Sequence, residues 1–323
     1  MENSIETAAE IQSLAAGLKE ESCDILIVGA GTAGLSAAIY GLRAGCSVLV
    51  LEANVHGGQI INTTSVENYP AIKEISGFEF AQGLYEQAKG FGARILRQQI
   101  NRVFLSGPEK TVITNKACIR ARALIVATGA VHRHLGCLGE EQLGGRGVSY
   151  CATCDGALYR DKTVMVVGGG NTALMDALFL AKLCQKVYLV HRRDQFRGEN
   201  IMVEAVRAAE NIEIFYDSVV EAFLGEQKLT AARVLNKKSG ESREIAIDGA
   251  FIAVGNAPAN DFLQGQVELD AEGYVVAGED CRTNVAGVWA AGDNRQKPLR
   301  QLVTAAADGA VAGTAAAELV IKG

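Results

Sequence analysis

The apolar positions along this chain fall into a pattern that runs once and then starts again. Asp24–Val28 (Asp-Ile-Leu-Ile-Val) is a short unbroken apolar run, which predicts a buried parallel strand. Leu35–Ala44 is helical, and Ser47–Leu51 is a second strand that ends on Glu52. Phe78–Phe91 has the spacing of an amphipathic helix. Two strand-like stretches follow, over 101–105 and 110–114. Ala123–Val126 is then another apolar strand, closed by Ala127-Thr128-Gly129-Ala130. The pattern restarts with strand Thr163–Val167, helix Leu174–Leu183 and strand Lys186–Val190. A strand within Ile245–Val254 ends in Gly255-Asn256, as the earlier one ended in Gly129. The chain closes with strand Gly287–Asp293 and a small-residue helix, Leu302–Val320. Ahead of all this, Ala8, Ile11, Leu14, Ala15 and Leu18 share one helical face. They predict a short amphipathic extension over 1–22.

Strands alternating with helices predict an α/β fold with parallel sheets. Each turn after a first strand is rich in glycine. Gly29-Ala30-Gly31-Thr32-Ala33-Gly34 is G-x-G-x-x-G between a strand and a helix. Gly29, Gly31 and Gly34 allow a tight turn, approach of backbone to a pyrophosphate, and helix–strand packing. Glu52 stands 18 residues after Gly34, where an acid binds ribose hydroxyls. Gly168-Gly169-Gly170-Asn171-Thr172-Ala173 is the second copy, in the G-x-G-x-x-A form, and His191 stands 18 residues after Ala173. In place of the acid there is His191-Arg192-Arg193, with Arg197 close behind. A cationic cluster at this register suits a 2′-phosphate and so predicts NADPH, where on an unplaced loop it would be a solvated charge cluster.

Composition narrows the class. The chain has 323 residues, enough for two domains, and 49% are hydrophobic. The net charge of −6 argues against nucleic acid as a partner. No apolar run approaches the length that spans a bilayer, so no membrane association is expected. Met1–Ser22 lacks the basic flank and apolar core of a signal peptide, which predicts a cytoplasmic, reducing location. In that setting eight cysteines do not imply a disulfide scaffold.

The cysteines carry the chemistry. Cys151-Ala152-Thr153-Cys154-Asp155-Gly156 puts two thiols two residues apart, just before the second glycine turn. That spacing lets both sulfurs meet in one turn and store two electrons reversibly. The alternative is half of a zinc clip. A clip needs four ligands, and Cys23, Cys46, Cys118, Cys137, Cys184 and Cys281 are scattered singly. Between the two halves, Val131–Gly147 reads as a linker. His132, His134 and Cys137 in it could be a metal site but lack a fourth ligand, and read as exposed linker residues.

Taken together, these motifs resemble the low-molecular-weight bacterial thioredoxin reductases over nearly all of Asp24–Gly323. Gly57-Gly58-Gln59, Val66-Glu67-Asn68-Tyr69-Pro70, Ala127-Thr128-Gly129, Cys151–Gly156, Gly292-Asp293 and Arg300-Gln301 carry the resemblance with the two glycine turns. It implies the pyridine nucleotide-disulfide oxidoreductase architecture, two Rossmann-like domains with the second inserted into the first. The expected domains are a FAD domain over 23–134 and 262–323, and an NADPH domain over 135–261 that carries the cysteine pair. It further implies FAD at Gly29, Gly31, Gly34, Glu52, Gln59, Asn68, Thr128, Gly129, Asp293, Arg300 and Gln301. NADPH is implied at Gly168, Gly170, Asn171, Thr172, Ala173, His191, Arg192, Arg193 and Arg197. Cys154 would face the flavin, Asp155 would serve as acid–base, and the enzyme would be a homodimer acting on thioredoxin. This chain has Met175, followed by Asp176, where many relatives have a glutamate. The implied relay runs from NADPH to FAD, to the Cys151–Cys154 disulfide, and to thioredoxin by exchange. The inserted domain would turn in each cycle about hinges at 131–147 and 256–264. The alternatives are a flavin-dependent dithiol oxidase, or a ferredoxin- or NADH-fed disulfide reductase of the same fold.

Overall fold

The computed structural model describes residues 2–63 and 65–322. Met1, Thr64 and Gly323, which fall in the expected extension, in a polar turn-rich stretch and at the end of the FAD domain, lie outside them. The chain divides into two units, Met1–Val131 with Ala257–Gly323, and His132–Asn256.

The first unit opens with α1 (Glu2–Ala15), β1 (Lys19–Val28), α2 (Thr32–Arg43), β2 (Val48–Glu52), α3 (Gly77–Gly90) and β3 (Arg94–Arg97). A meander follows, β4 (Ile100–Phe104), β5 (Lys110–Thr114) and β6 (Ala117–Val126). β1 starts at Lys19, five residues ahead of the apolar run. Its polar half stays in register because Lys19–Cys23 pairs with Ala117–Ala121 of β6. The expected extension is therefore not separate: it supplies a helix, a turn and the opening of a strand. Ile11, Ala15 and Leu18 pack on Phe104, Ile113 and Cys118, while Ala8 and Leu14 face solvent. The start of α3 follows from a capping box, with Ser76 Oγ accepting from Glu79 N at 3.1 Å and Glu79 Oε2 accepting from Ser76 N at 3.2 Å.

The chain crosses to the second unit through β7 (Ala130–His132). There β8 (Val148–Ser149), α4 (Ala152–Asp155), β9 (Thr163–Gly168), α5 (Asn171–Ala181), β10 (Lys186–Val190), α6 (Asn200–Ala208) and β11 (Ile212–Phe215) follow. An antiparallel sheet of β12 (Ser218–Leu224), β13 (Ala231–Asn236) and β14 (Ser242–Ala246) comes next, then β15 (Gly249–Ala253). The parallel sheet has the order β11-β10-β9-β15-β8. The stretch expected as a linker over 131–147 is mostly folded into this unit. Leu143 joins its core, and Glu140 is 1% exposed.

The chain returns through β16 (Asn256–Pro258) and ends with β17 (Val288–Ala290) and α7 (Leu302–Lys322). β17 pairs with β6 and completes the first sheet, whose path is β3-β2-β1-β6-β5-β4. By length and composition α7 is apolar enough to cross a membrane, which the apolar-run reading did not anticipate. Its small residues serve packing instead. A Cβ on Gly309 would sit 2.2 Å from Ala33 O of α2, and one on Gly313 2.6 Å from Ala37 O. The two helices approach to backbone contact, and their buried alanines close one core over the sheet.

Candidate redox active site

In the first unit, the glycine turn between β1 and α2 has one closed side and one open side. A Cβ on Gly34 would lie 1.9 Å from Gly29 O, so only glycine fits there. A Cβ on Gly31 would meet nothing closer than 3.9 Å, so this face of the helix N-terminus is free to receive a phosphate. Glu52 is aimed at the turn: its Oε2 accepts from Ala30 N and its Oε1 from Asn54 N, both at 2.9 Å. Gly57 N donates to Ala30 O at 2.8 Å, which brings the Gly58–Asn62 turn carrying Gln59 to the same place. Asn68 Nδ2 donates to Gln301 Oε1 at 3.1 Å, joining residues 233 positions apart. Thr128 Oγ1 bonds Asn260 Oδ1 at 3.1 Å, and Gly129 takes φ +67°.

Asp293 is the most informative of these residues. Its Oδ1 is buried and has no partner among the described residues. Burial pushes its acidity down, against the pull of Lys297 and Arg300. Arg300 is fixed beside it, with Nε donating to Asp293 O at 3.3 Å and its guanidinium 4.1 Å from the Tyr274 ring centre.

The sequence reading missed what holds this loop. Asp308, 5% exposed on α7, accepts from Gly292 N at 2.8 Å, from Arg295 at 2.9 and 2.7 Å, and from Lys297 Nζ at 2.8 Å. Burial pushes its carboxyl pKa up, but these bonds outweigh burial and hold it below the ordinary value. An acid in the middle of a small-residue, largely apolar stretch of helix was the available signal, because a buried charge requires a partner.

In the second unit, the glycine turn between β9 and α5 is built the same way. A Cβ on Gly168 would lie 2.4 Å from Ala253 O and 2.6 Å from the Cβ of Ala173, whereas one on Gly170 would meet nothing within 4 Å. Asn171 exchanges two bonds with Glu199, at 3.1 and 2.8 Å, and Thr172 is exposed. Arg192, Arg193 and Arg197 are exposed, and Arg197 N donates to Gly169 O at 2.7 Å, tying their loop to the turn. The nearby acids Asp217 and Asp194 face Lys238 instead, at 2.9 and 4.0 Å. His191 is not with the arginines. Its ring is buried against Gly169, Nε2 meets Gln195 O at 2.9 Å, and burial lowers its pKa. Met175 is exposed, and burial pushes the neighbouring Asp176 carboxyl up to about 6.

The cysteine pair lies in the same unit. Cys151 and Cys154 form a disulfide, S–S 2.06 Å, with Cys151 at the N-cap of the one-turn α4. Ser149 organises the turn. Its hydroxyl donates to Asp155 Oδ2 at 2.6 Å and accepts from Cys151 N at 3.1 Å. Burial raises the Asp155 pKa, with the Ser149 bond opposing. A carboxyl tied to the redox turn, its pKa raised by burial, suits proton exchange with a thiol. Ser149 and Tyr150 flank the motif in sequence, but their roles depend on contacts that spacing does not show.

The segment expected as exposed linker forms a polar cluster. Glu140 accepts from Leu135 N at 3.0 Å, Gly136 N at 2.7 Å and Tyr150 OH at 2.8 Å. His134 Nδ1 lies 3.2 Å from the same carboxylate and 2.8 Å from Tyr150 OH. His132 stacks on Tyr150 and bonds Asn256 Oδ1 at 2.8 Å. Among the described residues, no group of three or more metal-binding side chains comes together.

The profile of the pyridine nucleotide-disulphide oxidoreductases matches residues 23–309. The thioredoxin reductase of Listeria monocytogenes is 42% identical over 303 residues, 94% of this chain and 95% of that protein. That of Mycolicibacterium smegmatis is 44% identical, over 90% of this chain and 94% of its own. The chain belongs to this family, on its thioredoxin reductase branch. The crystal structure of the Streptococcus pyogenes thioredoxin reductase overlays with a TM-score of 0.89 at 39% identity, covering 94% of this chain and 99% of that one. Thioredoxin reductases of this family work with FAD and a pyridine nucleotide. The chain's own residues fit such groups. Gly31 and Gly170 leave two helix N-termini open to phosphates, and Asp293 keeps a buried oxygen without a partner among the described residues.

Proposed function

We propose that this chain is an NADPH-dependent reductase of thioredoxin, working as a homodimer in the cytoplasm. The observation that carries the reading is the Cys151–Cys154 disulfide, folded into the same unit as the glycine turn with the arginine loop. In this reading Glu52 and Gly31 hold the adenosine side of FAD, with Asn68, Gln59, Thr128, Gly129, Asp293, Arg300 and Gln301 along its other parts. Gly170 and the N-terminus of α5 take the pyrophosphate of NADPH, and Arg192, Arg193 and Arg197 take its 2′-phosphate. His191 supports the turn from beneath, as its burial against Gly169 suggests.

Bound FAD supplies a two-electron acceptor for hydride and a two-electron donor to sulfur. The protein's residues do the rest. Reduction of the disulfide takes two electrons and two protons and leaves two thiols. Asp155, held by Ser149, exchanges a proton with the cysteine pair. One freed thiolate then attacks the disulfide of thioredoxin, and the other resolves the mixed disulfide, which closes Cys151–Cys154 again.

The test is anaerobic addition of NADPH, NADH or a dithiol to the flavin-loaded protein, followed by flavin absorbance. Bleaching at low NADPH, weak bleaching with NADH, and disulfide turnover of thioredoxin are expected. Bleaching by dithiol with no response to either nicotinamide would favour the dithiol oxidase. No response to nicotinamide with turnover on reduced ferredoxin would favour a ferredoxin-fed enzyme. One structural relative at 29% identity, from Clostridium acetobutylicum, is described as a ferredoxin-flavin thioredoxin reductase.

A further inference from the structure

We propose that Glu140, acting through Tyr150, is a positioning residue that holds the Cys151–Cys154 turn and thereby sets how readily its disulfide is reduced. The inference rests on reading these two cysteines as the redox pair.

Tyr150 is the residue directly before Cys151, and its side chain is fixed from three directions. The phenol has one proton, which goes to Glu140 Oε1 at 2.8 Å. The phenol oxygen itself lies 2.8 Å from His134 Nδ1, so that ring must supply the proton of the second bond. His132 lies flat against the phenol ring, with centroids 5.0 Å apart and planes 13° apart, and His134 meets the ring edge-on. Glu140 has no freedom to follow a moving tyrosine. It is 1% exposed, and two backbone amides hold its oxygens. On the other side of the turn, Ser149 ties the Cys151 amide and Asp155 together. Tyr150 is thus anchored to residues that lie outside the turn, while Ser149 braces the turn itself.

The consequence is a matter of effective concentration. Breaking the S–S bond gives two thiols that stay neighbours only if the turn keeps its shape. An anchored turn keeps each sulfur at high effective concentration for the other and favours the closed disulfide. A turn released at Tyr150 lets the thiols part, which favours the dithiol. A carboxylate that only capped the local backbone would affect thermal stability and leave this equilibrium alone.

The test is a redox titration of the flavin-loaded enzyme in mixtures of oxidised and reduced dithiothreitol. Samples are quenched in acid and alkylated, and the peptide holding Cys151 and Cys154 is weighed by mass spectrometry. Tyr150→Phe keeps the ring and removes only the hydroxyl. It should reach half-reduction at about a tenfold lower ratio of reduced to oxidised reagent. For this two-electron couple that is a midpoint about 30 mV more positive. Glu140→Gln should move it the same way, and the double variant no further than the larger single one. Tyr150→Phe decides the matter even if Glu140→Gln does not fold. A midpoint equal to the parent's in Tyr150→Phe overturns the proposal, whatever happens to thermal stability. Neither nicotinamide nor protein substrate enters the titration, so its failure is separable from failure of the assignment to NADPH and thioredoxin.

Discussion

In the first unit an acid, Glu52, ends the second strand and reaches back to the glycine turn. In the second unit His191 holds the same register, packs inward, and leaves three arginines at the surface. The frames otherwise begin alike. Each has a strand, a glycine turn, a helix and a second strand; later the first unit adds antiparallel β4 and β5 to its main sheet before parallel β6, and the second makes a separate sheet of β12–β14 before parallel β15. In the proposed reading one frame serves two nucleotides, and the residues just past its second strand tell them apart. The units also differ in how they treat buried charge. Asp308 of the first is surrounded by donors, whereas burial is the sole cause of the shift at Asp176 of the second.

The largest break in the comparison comes from the feature that only one unit has, the cysteine turn. Cys154→Ser should lower thioredoxin turnover by at least about a thousandfold, some 4 kcal/mol of barrier. Bleaching of the flavin by NADPH should survive. Turnover at the parental rate, with bleaching measured in the same preparation, would refute the relay.

Next is the charged cluster of the first unit. Asp308→Ala leaves Arg295 and Lys297 buried without their acid, at a cost of about 3–5 kcal/mol. Urea denaturation of the parent and the variant would measure it. The parent should show the same dependence on acid. Asp308 has a folded pKa below the unfolded value of about 3.9, so its stabilisation is complete above that pH. It is lost as pH falls through the folded value. A parent no less stable under those acid conditions would remove the charge argument.

The arginines sharpen the contrast with Glu52. Two charge-assisted contacts to a phosphate are together worth about 3 kcal/mol or more, less whatever solvent screening removes at this exposed site. Arg192→Ala with Arg193→Ala should raise KM for NADPH about a hundredfold and barely move KM for NADH. Equal changes for both cofactors would contradict the phosphate site.

The smallest effect is at Asp176. Its folded pKa, about 6, lies above the unfolded value, so burial of the ionised form costs stability above that pH. Asp176→Asn should add about 1–2 kcal/mol at pH 8 and nothing near pH 4. Equal effects at both values would mean that the group is not titrating there.

Most of the frame was legible in the sequence because its signals are local. The runs at Asp24–Val28 and Lys186–Val190 need only their own residues to be read as strands. The glycine turns need only six positions each. The polar half of β1 was not legible, since Lys19–Cys23 becomes a strand only through pairing with residues more than ninety positions away. Glu140 was lost for a related reason. A glutamate in a Gly-rich stretch looks solvated until Tyr150, His134 and two backbone amides are seen around it. His191 shows the limit of register: an offset of 18 residues from the glycine turn fixes where the backbone goes, but not which way the ring points.

The interruption of the first unit by the second has a consequence for synthesis. Gly309 and Gly313 of α7 are what cover Ala33 and Ala37 of α2. Some 260 residues separate the end of α2 from the start of α7. At about 5–20 residues per second, the ribosome needs roughly 13–50 s to deliver the missing helix. During that time the second unit can be completed from a continuous stretch of chain while the first still exposes a nascent apolar surface. The unit that translation begins first is then the last whose core can be completed.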